Sequence, residues 1–429
     1  MSITCTSRAD VPSESLRVEP GGSLLPIPAP VETLREVVRR HGTPTYAYDL
    51  SEIRARIAML RAALPPAVEI LYSLKANPSL GLCGFIAGEG LGADVASAGE
   101  LVTALEAGFR PERILVSGPD KSPAVLELIA SVPEAILSLD SVSELELLAA
   151  KGHGQRALLR LRPDFSSFAQ CAAGPGSRFG VPIEDVGRCR EYLASRRVRV
   201  VGFHVFSGSQ VLDAAAVNHH LRGGLELSLR AAEVLGITPE VIDLGGGFGI
   251  PYGPADHELD LAAVAEEMNS LVLRAKPAHL LVELGRYVVA SAGWYLATVI
   301  AQQTHGGRPA VVVDGGSHQR GDMCGLGLRQ KAYPPVVLDA RTSTRVPTDA
   351  LGCLSLPGDV MAEGRPLPAM ILGDVLAFPN AGAYGLGASP SSFHAHPAPA
   401  EVAFEGTRIS VLRARQPLRS VLDGQSHLR

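Results

Sequence analysis

The sequence predicts an α/β fold, a (β/α)8 TIM-type barrel followed by an all-β domain, and three observations lead to this prediction. Between Val68 and Glu283, short apolar runs alternate with helix-period stretches. There are eight such runs, each nearly continuously apolar, as strands buried in a parallel barrel are. After Arg286, strand-like segments with Gly/Pro-rich turns follow one another with few helices. Pattern alone leaves a doubly wound sheet open as the alternative.

The elements follow in order along the chain. After a loose lead-in, Val31–His41 has the period of a short helix. The eight runs predicted as barrel strands are Val68–Leu74, Gly92–Ala96, Ile114–Ser117, Ala135–Leu139, Ala157–Leu161, Val200–Val205, Val241–Leu244 and Leu280–Glu283. Helix-period segments between them include Ala98–Ala107, Val142–Ala150 and Leu261–Leu273. The later strands are predicted at Trp294–Gln303, Ala310–Val313, Val336–Leu338, Ala369–Phe378, Glu401–Phe404 and Arg408–Leu412. We therefore expect a lead-in over 1–42 that packs on the β domain, a barrel over 43–290 and a β domain over 291–429.

Composition excludes several classes of function. The 39 Lys and Arg residues against 44 Asp and Glu residues give a net charge of −5 without charge blocks, so neither nucleic acid nor an anionic membrane is an expected partner. The most apolar stretch, Leu280–Ala301, is interrupted by Glu283 and Arg286, so no transmembrane helix is predicted. The first thirty residues lack the apolar core of a signal peptide. We expect a cytoplasmic protein.

The cysteines and lysines are few. The six cysteines show no paired spacing, so neither a disulfide framework nor a metal site is predicted from the sequence. Only five lysines occur, and arginine carries nearly all of the positive charge. One of those lysines, Lys75, stands directly after the first predicted barrel strand.

Polar residues follow several of the predicted barrel strands. They are Lys75, Asp94, His204, Asp243 with the glycine-rich run 245–249, and Glu283 with Arg286. Taken singly, each has an ordinary explanation as a helix cap, a turn or a satisfied core side chain. Because the carboxyl ends of barrel strands meet at one mouth, we expect these residues to converge there, and their convergence indicates a functional site.

The converging groups are typical of a phosphate-bearing aldehyde cofactor. Burial disfavours the ammonium form of Lys75, and its neutral amine can form a Schiff base with an aldehyde. Backbone N–H groups of the glycine-rich run can cradle a phosphate, with Arg286 adding charge-assisted bonds. Glu283 can keep a pyridine nitrogen protonated, and His204 can stack on the ring. These residues predict pyridoxal 5′-phosphate at the mouth of the barrel.

The motifs resemble those of fold-type III pyridoxal-phosphate decarboxylases, the group of diaminopimelate, ornithine and arginine decarboxylases with an alanine-racemase-like barrel. The likeness extends from about residue 43 to 405, through YSLKANP, GADVASAGEL, SRFG, GFHVFSGSQ, DLGGGFGIPY, ELGR, VDGG, GDVLAFPNAGAYG and HPAPAEV. It implies an obligate homodimer whose active sites lie between subunits.

The resemblance also implies roles for individual residues. Lys75 would hold the cofactor covalently, His204 would stack on it, and Glu283 would meet the pyridine nitrogen. The implied cofactor-binding set is Lys75, Asp94, His204, Ser207, Gly245, Gly246, Gly247, Glu283, Gly285, Arg286 and Tyr384. The implied substrate-binding set is Arg286, Arg329, Tyr333, Asp359 and Tyr384.

The chain departs from the family pattern at the catalytic cysteine. In the family, a G-x-x-C-x-x-x-D segment supplies that cysteine from the partner subunit. Aligned on Gly352 and Asp359, the position here holds Ser355, and Cys353 lies two residues earlier. A hydroxyl is a far weaker acid than a thiol, so Ser355 would leave protonation of Cα to another group. A shift of the loop would instead bring in Cys353, and both residues stay candidates.

Two further positions bear on the substrate. The residue after the family cysteine is acidic where a distal ammonium is recognised, but here it is Leu356, which disfavours free diamino acids. Arg329 and Tyr333 match the R-x-x-x-Y spacing that grips a distal carboxylate, although Arg329 could equally be a surface residue. The motifs are most similar to those of a subgroup that acts on carrier-linked amino acids or accompanies exosortase systems.

We therefore expect a pyridoxal-phosphate-dependent α-decarboxylase of an L-amino acid, either free and acidic or linked to a carrier or conjugate, in specialised metabolism. Diaminopimelate decarboxylase of lysine biosynthesis is the alternative. Protonation at the cofactor carbon instead of Cα would give decarboxylative transamination, and deprotonation of Cα would give racemisation. A non-catalytic cofactor-binding regulator, typically a barrel alone, fits the segment after residue 290 poorly, and a barrel without cofactor fits the motifs still less.

Overall fold

The computed structural model describes residues 29–165, 176–322 and 331–428. Its architecture is a closed eight-stranded parallel barrel joined to a separate, mostly antiparallel sheet of nine strands. The predicted fold is confirmed, and the open doubly wound alternative is excluded because the first and last barrel strands pair with each other.

Every predicted barrel strand is present. The barrel strands are β2 (Val68–Ser73), β3 (Gly92–Val95), β4 (Ile114–Val116), β5 (Ile136–Leu139), β6 (Gln155–Arg160), β7 (Val198–His204), β8 (Val241–Gly246) and β9 (His279–Leu284). The helices of the chain are α1 (Val31–His41), α2 (Leu50–Ala63), α3 (Leu80–Gly88), α4 (Ala98–Glu106), α5 (Pro123–Ala130), α6 (Val142–Lys151), α7 (Ile183–Val186), α8 (Ala214–Leu235), α9 (Leu261–Ala275) and α10 (Arg286–Val289). Among the described helices, none is both long and apolar enough to cross a membrane.

The barrel interior is packed with side chains. Seven of the eight strands each contribute one residue to a single apolar cluster, made of Leu71, Leu115, Ile136, Leu158, Val201, Val241 and Leu281. Branched side chains at the centre of such a barrel exclude water and leave no pore. Polar chemistry is therefore confined to the ends of the strands.

The second sheet combines segments from both ends of the chain. Its strands are β1 (Thr45–Asp49), β10 (Gly293–His305), β11 (Arg308–Val313), β12 (Val336–Val337), β13 (Arg345–Leu351), β14 (Val360–Pro368), β15 (Val375–Phe378), β16 (Ala400–Glu405) and β17 (Arg408–Arg413). The order is β14-β13-β11-β10-β1-β16-β17, with β15 pairing β10 and β12. Strands β13 and β14 were not predicted from the sequence.

Strand β1 joins the sheet, whereas the sequence division counted residues from 43 with the barrel. It pairs antiparallel with β10 and parallel with β16. Helix α1 lies on the same sheet, where Leu34 and Val37 belong to an apolar cluster with Trp294 and Phe404. These pairings are non-local, so the local pattern around residue 45 carries no sign of them.

Candidate active site

Lys75 lies at the carboxyl-end mouth of the barrel between two carboxylates. It occupies a short 3₁₀ turn directly after β2. Its Nζ is 3.0 Å from Asp94 Oδ2 and 3.9 Å from Glu283 Oε2. The other oxygen of Asp94 accepts a hydrogen bond from Ser117 Oγ. Residues from the ends of β2, β3, β4 and β9 thus meet at one amine.

Two opposing effects act on the charge of Lys75. Burial by itself disfavours the ammonium form, as anticipated, but the negative charges of Asp94 and Glu283 outweigh that effect and raise the pKa of Lys75. The net direction depends on both carboxylates lying beside the amine, which the sequence does not show.

His204, at the end of β7, is oriented by a serine. Its Nδ1 is 2.7 Å from Ser138 Oγ, and its Nε2 is 3.4 Å from Glu283 Oε1. Burial lowers the pKa of His204 well below its usual value, and the positive charges of Arg160 and Lys75 add to the effect. The ring is therefore neutral and can offer a flat face.

Two buried carboxyl groups, Asp243 and Glu283, lie beside His204. Burial raises the pKa of Asp243 to about 7 and that of Glu283 well above its ordinary value. Asp243 Oδ1 accepts a hydrogen bond from the Gly245 N–H at 2.7 Å. A cationic group placed here would favour ionisation of these carboxyls, so the pair forms a site for a protonated nitrogen.

The raised pKa of Asp243 predicts a pH-dependent stability of the cofactor-free protein. Between pH 3.8 and about 7, the Asp243 side chain has lost its proton in the unfolded chain but keeps it in the folded protein. Raising the pH through this range therefore lowers the free energy of unfolding. Asp243→Asn should remove this loss and stabilise the protein at pH 8 by on the order of 2–4 kcal/mol, with little effect at pH 4. Urea unfolding at the two pH values measures this.

The control for that measurement is Asp213→Asn. Asp213 is exposed and caps α8 by accepting the Ala215 N–H, a bond that asparagine also makes. Because this carboxylate is exposed, its replacement should not stabilise the protein at pH 8. An Asp243→Asn effect that did not grow with pH would contradict the assignment of a raised pKa to Asp243.

The glycine-rich loop after β8 lies against the loop after β7. Gly247 has a φ of +95°, and a Cβ there would lie 2.3 Å from the carbonyl oxygen of Gly208. Only glycine permits this approach, which leaves backbone rather than side chain facing the mouth. Of the predicted phosphate-site residues, Gly245 and Gly246 end β8 and Gly247 begins the loop, and Ser207 is buried in the loop opposite.

Arg286 closes another side of the mouth. Its guanidinium donates to the Tyr252 hydroxyl at 2.7 Å and lies 4.6 Å from the centre of the Tyr384 ring. The backbone N–H of Tyr384 donates to the Ala76 carbonyl, next to Lys75, and the residue adopts a positive φ of 55°. These contacts bring the late GAYG motif to the barrel lysine. Gly285 packs where Ala76 and Ser73 leave no room for a side chain.

The arrangement fits pyridoxal 5′-phosphate. A cavity is lined by Ser73, Lys75, Phe206, Ser209, Gly247, Phe248, Glu283, Leu284, Gly285, Arg286 and Tyr384. Glu283, which lines this cavity, lies together with His204 and Asp243, and their atoms Oε1, Nε2 and Oδ2 are buried without a hydrogen-bond partner among the described residues. Unsatisfied buried polar atoms are costly, so they indicate a missing polar group. The Lys75 amine matches the aldehyde of the cofactor, the buried carboxyl groups match its pyridine nitrogen, and the glycine-lined loop matches its phosphate.

The remaining predicted residues lie on the β domain. Ser355 and Leu356 are exposed in the loop between β13 and β14, and Cys353 is partly buried. Both carboxylate oxygens of Asp359 accept backbone N–H groups within this chain, from Ser317 and Leu354. None of these residues lines the cavity around Lys75 in the described part of the chain. Their contact with substrate stays a prediction.

The R-x-x-x-Y pair is described only in part. Tyr333 is buried, and its backbone N–H donates to the carbonyl of Tyr252, the residue whose hydroxyl binds Arg286. The segment therefore approaches the mouth of the barrel. Arg329 lies outside the described residues.

Several residues of the site were not predicted from the sequence. They are Ser117 and Ser138, which orient Asp94 and His204, and Phe206, Ser209 and Tyr252 at the rim. Ser117 ends one predicted strand and Ser138 lies one residue before the end of another, so nearness to a strand end was the available signal. Serine is too common near strand ends to be selected as a site residue before its hydrogen-bond partner is known.

Comparisons with known proteins agree with this geometry. Residues 50–290 match the family model described as "Pyridoxal-dependent decarboxylase, pyridoxal binding domain". An L-glutamyl-[BtrI acyl-carrier protein] decarboxylase of Niallia circulans is 32% identical over 85% of this chain and 90% of its own length. A diaminopimelate decarboxylase of Zymomonas mobilis is 31% identical over 91% of this chain and 94% of its own. The crystal structure of Helicobacter pylori diaminopimelate decarboxylase with L-lysine, 26% identical, covers 91% of this chain and 98% of that chain with a TM-score of 0.82.

Proposed function

The chain belongs to the pyridoxal-dependent decarboxylases, and we propose that it removes the α-carboxylate of an L-amino acid whose distal end is joined to a carrier or conjugate. The single observation that supports decarboxylation most is Lys75 held between Asp94 and Glu283 at the barrel mouth. Leu356, at the position that is acidic in relatives recognising a distal ammonium, supports a substrate without that charge. The Niallia circulans relative is named for an L-glutamyl group on an acyl-carrier protein, which is likewise a carrier-linked substrate.

The cofactor and the protein divide the chemistry. When bound, pyridoxal 5′-phosphate supplies an electron sink for the electron pair left at Cα as CO2 departs. Lys75 provides the amine that attaches it, and Glu283 provides the negative charge that keeps a ring nitrogen protonated. Asp94 holds the Lys75 amine through the 3.0 Å contact, and His204 offers its neutral ring face. Arg286, fixed by Tyr252, supplies positive charge at the rim for an anionic group.

We propose that the loop of Ser355 and Cys353 reaches the active site of a second copy of the chain. Ser355 is the first candidate for the position of the family cysteine and Cys353 the second, and both lie on the β domain rather than around Lys75. With Ser355 at that position, Cα would take its proton from another group. Burial raises the pKa of the Cys353 thiol to about 11, which makes it a weaker acid than an ordinary cysteine. The exposed Leu356 beside Ser355 is an apolar side chain of the kind that a subunit interface covers. On this basis we propose a homodimer with shared active sites.

The test of the function is CO2 release by the cofactor-loaded protein. Free glutamate, aspartate, diaminopimelate, lysine, ornithine and arginine are compared with glutamyl and aspartyl thioesters on a carrier. We expect turnover with the conjugates and little with the free amino acids. Efficient turnover of free diaminopimelate would instead assign the protein to lysine biosynthesis. Release of an aldehyde, or of the D-isomer without CO2, would identify transamination or racemisation.

Leu356 offers a sharper test of specificity. Leu356→Glu places a carboxylate where a distal ammonium would otherwise be desolvated without a partner, a cost of about 1–3 kcal/mol. We expect kcat/KM for free diaminopimelate or ornithine to rise about 5–100-fold, while turnover of the carrier-linked substrate falls. Leu372→Glu is the matched control, because Leu372 is also an exposed leucine of the β domain. Equal kinetics for both variants and the parent protein would contradict the role of Leu356.

A further inference from the structure

Three metal-ligating side chains meet on the β domain, and none of them lines the cavity around Lys75. His318 follows β11, Cys353 lies in the loop after β13, and His396 precedes β16. One ligand atom from each residue can be chosen so that all three lie within 4.8 Å of one another. We infer that His318, Cys353 and His396 form a binding site for a zinc-like transition-metal ion. The site could not be predicted from the sequence, because the three residues come from distant segments without paired spacing.

The distances are close to those of a metal site. Cys353 Sγ is 3.9 Å from His396 Nε2, and the rings of His318 and His396 have their centres 4.6 Å apart. Zinc binds imidazole nitrogen at about 2.0–2.1 Å and thiolate sulfur at about 2.3 Å, so tetrahedral ligand atoms lie roughly 3.3–3.7 Å apart. Small side-chain movements would bring all three onto one ion.

The state of His318 independently indicates a missing ligand. The side chain is only 1% exposed, and neither of its ring nitrogens has a hydrogen-bond partner among the described residues. A buried imidazole with both nitrogens unsatisfied is costly. A metal ion bound to one nitrogen removes part of that cost, and it lies where the partly buried Cys353 and His396 also point.

The backbone around the cluster is held in place by Asp359. Its carboxylate accepts hydrogen bonds from the Ser317 N–H at 2.7 Å and the Leu354 N–H at 2.8 Å. These two residues are the sequence neighbours of the proposed ligands His318 and Cys353. The Cys353 N–H donates to the Gly315 carbonyl at 2.9 Å. A Cβ at Gly352 would lie 2.1 Å from the Asp359 carboxylate, so glycine is required there. Such supporting bonds fix the separation of metal ligands before the ion arrives.

The ligand set selects the class of ion. Two imidazoles and one thiolate favour zinc or cobalt(II) over magnesium or calcium, which prefer oxygen. Binding displaces the thiol proton to solvent and leaves the fourth tetrahedral position for water or another donor. The ion would also fix the loop that carries Ser355, two residues beyond Cys353. This point rests on our proposed function: metal binding would hold in place the loop that reaches the active site of a second copy of the chain.

Metal binding is tested on the cofactor-loaded protein, stripped with a chelator and then titrated with zinc or cobalt(II). We expect one zinc ion per chain by elemental analysis after gel filtration. Cobalt(II) should give the intense visible bands of a tetrahedral site and a sulfur-to-cobalt charge-transfer band, read as differences from the metal-free protein. Cys353→Ser should abolish the charge-transfer band, and His318→Gln should weaken zinc binding at least about 100-fold.

Matched controls separate this site from incidental binding. Cys189→Ser removes another buried thiol, and His279→Gln removes an exposed histidine at the opposite end of the barrel, so both should retain zinc and the cobalt spectrum. Circular dichroism and cofactor absorbance verify that Cys353→Ser is folded. Zinc uptake no greater in the parent than in Cys353→Ser, or a cobalt–sulfur band that survives that change, would overturn the proposal. Because these readouts need no turnover, they are independent of the substrate assignment.

Discussion

Lys75→Ala should abolish covalent attachment of the cofactor and lower decarboxylation by roughly 10³-fold or more. No other amine contacts this site in the described residues, and Lys75 is the group that Asp94 and Glu283 both approach. In the absence of Lys75, no covalent bond would hold the cofactor in place before the substrate arrives. The measurements are CO2 release and the mass of the protein after borohydride reduction, which fixes a lysine-bound cofactor permanently.

The control for this change is Lys151→Ala, which removes an exposed lysine from the end of α6. It should leave both the added mass and the rate unchanged. If Lys75→Ala still gained cofactor mass on reduction, another residue would be the attachment site and the assignment of the barrel mouth would fail.

Glu283→Gln should lower kcat on the order of 10²–10³-fold while the protein still binds its cofactor. Glutamine has nearly the same shape but no negative charge, so it cannot hold a protonated ring nitrogen at this buried position. The same change removes one of the two charges that raise the pKa of Lys75, so that pKa should fall. Steady-state kinetics measure the first effect, and the pH dependence of covalent cofactor attachment to the cofactor-free protein measures the second.

Glu240→Gln is the matched change at the other end of the barrel. Glu240 is exposed and pairs with Arg199 just before β8. Surface pairs of this kind contribute little, so kcat should stay within about twofold of the parent. A comparable loss in both variants would mean that the Glu283→Gln effect reflects general disturbance rather than charge at the site.

The barrel could be predicted from sequence because its information is local. Each strand is a short apolar run bounded by turns, and Lys75, His204 and Glu283 stand where such runs end. Parallel strands then force these positions to one mouth. The charge of Lys75 could not be predicted in the same way, because it depends on the distances to Asp94 and Glu283.

The β domain was harder to predict because its pairing is non-local. Strands β13 and β14 contain Pro347, Pro366 and Pro368 and many polar residues, a pattern typical of outer strands but easily taken for a loop. The membership of β1 in this sheet depends on residues about 250 and 350 positions later in the chain. The His318, Cys353 and His396 cluster depends on the same long-range contacts.

The place of β1 has a consequence for how the protein is made. Thr45–Asp49 leaves the ribosome long before either of its neighbours, Gly293–His305 and Ala400–Glu405. The barrel can close in the interval, while β1 waits as a strand with two open edges, the kind of segment that invites aggregation. Premature termination after the barrel would therefore release a closed barrel carrying an unpaired strand. Quality-control factors that bind exposed strands would act on this nascent intermediate until synthesis reaches the last hairpin.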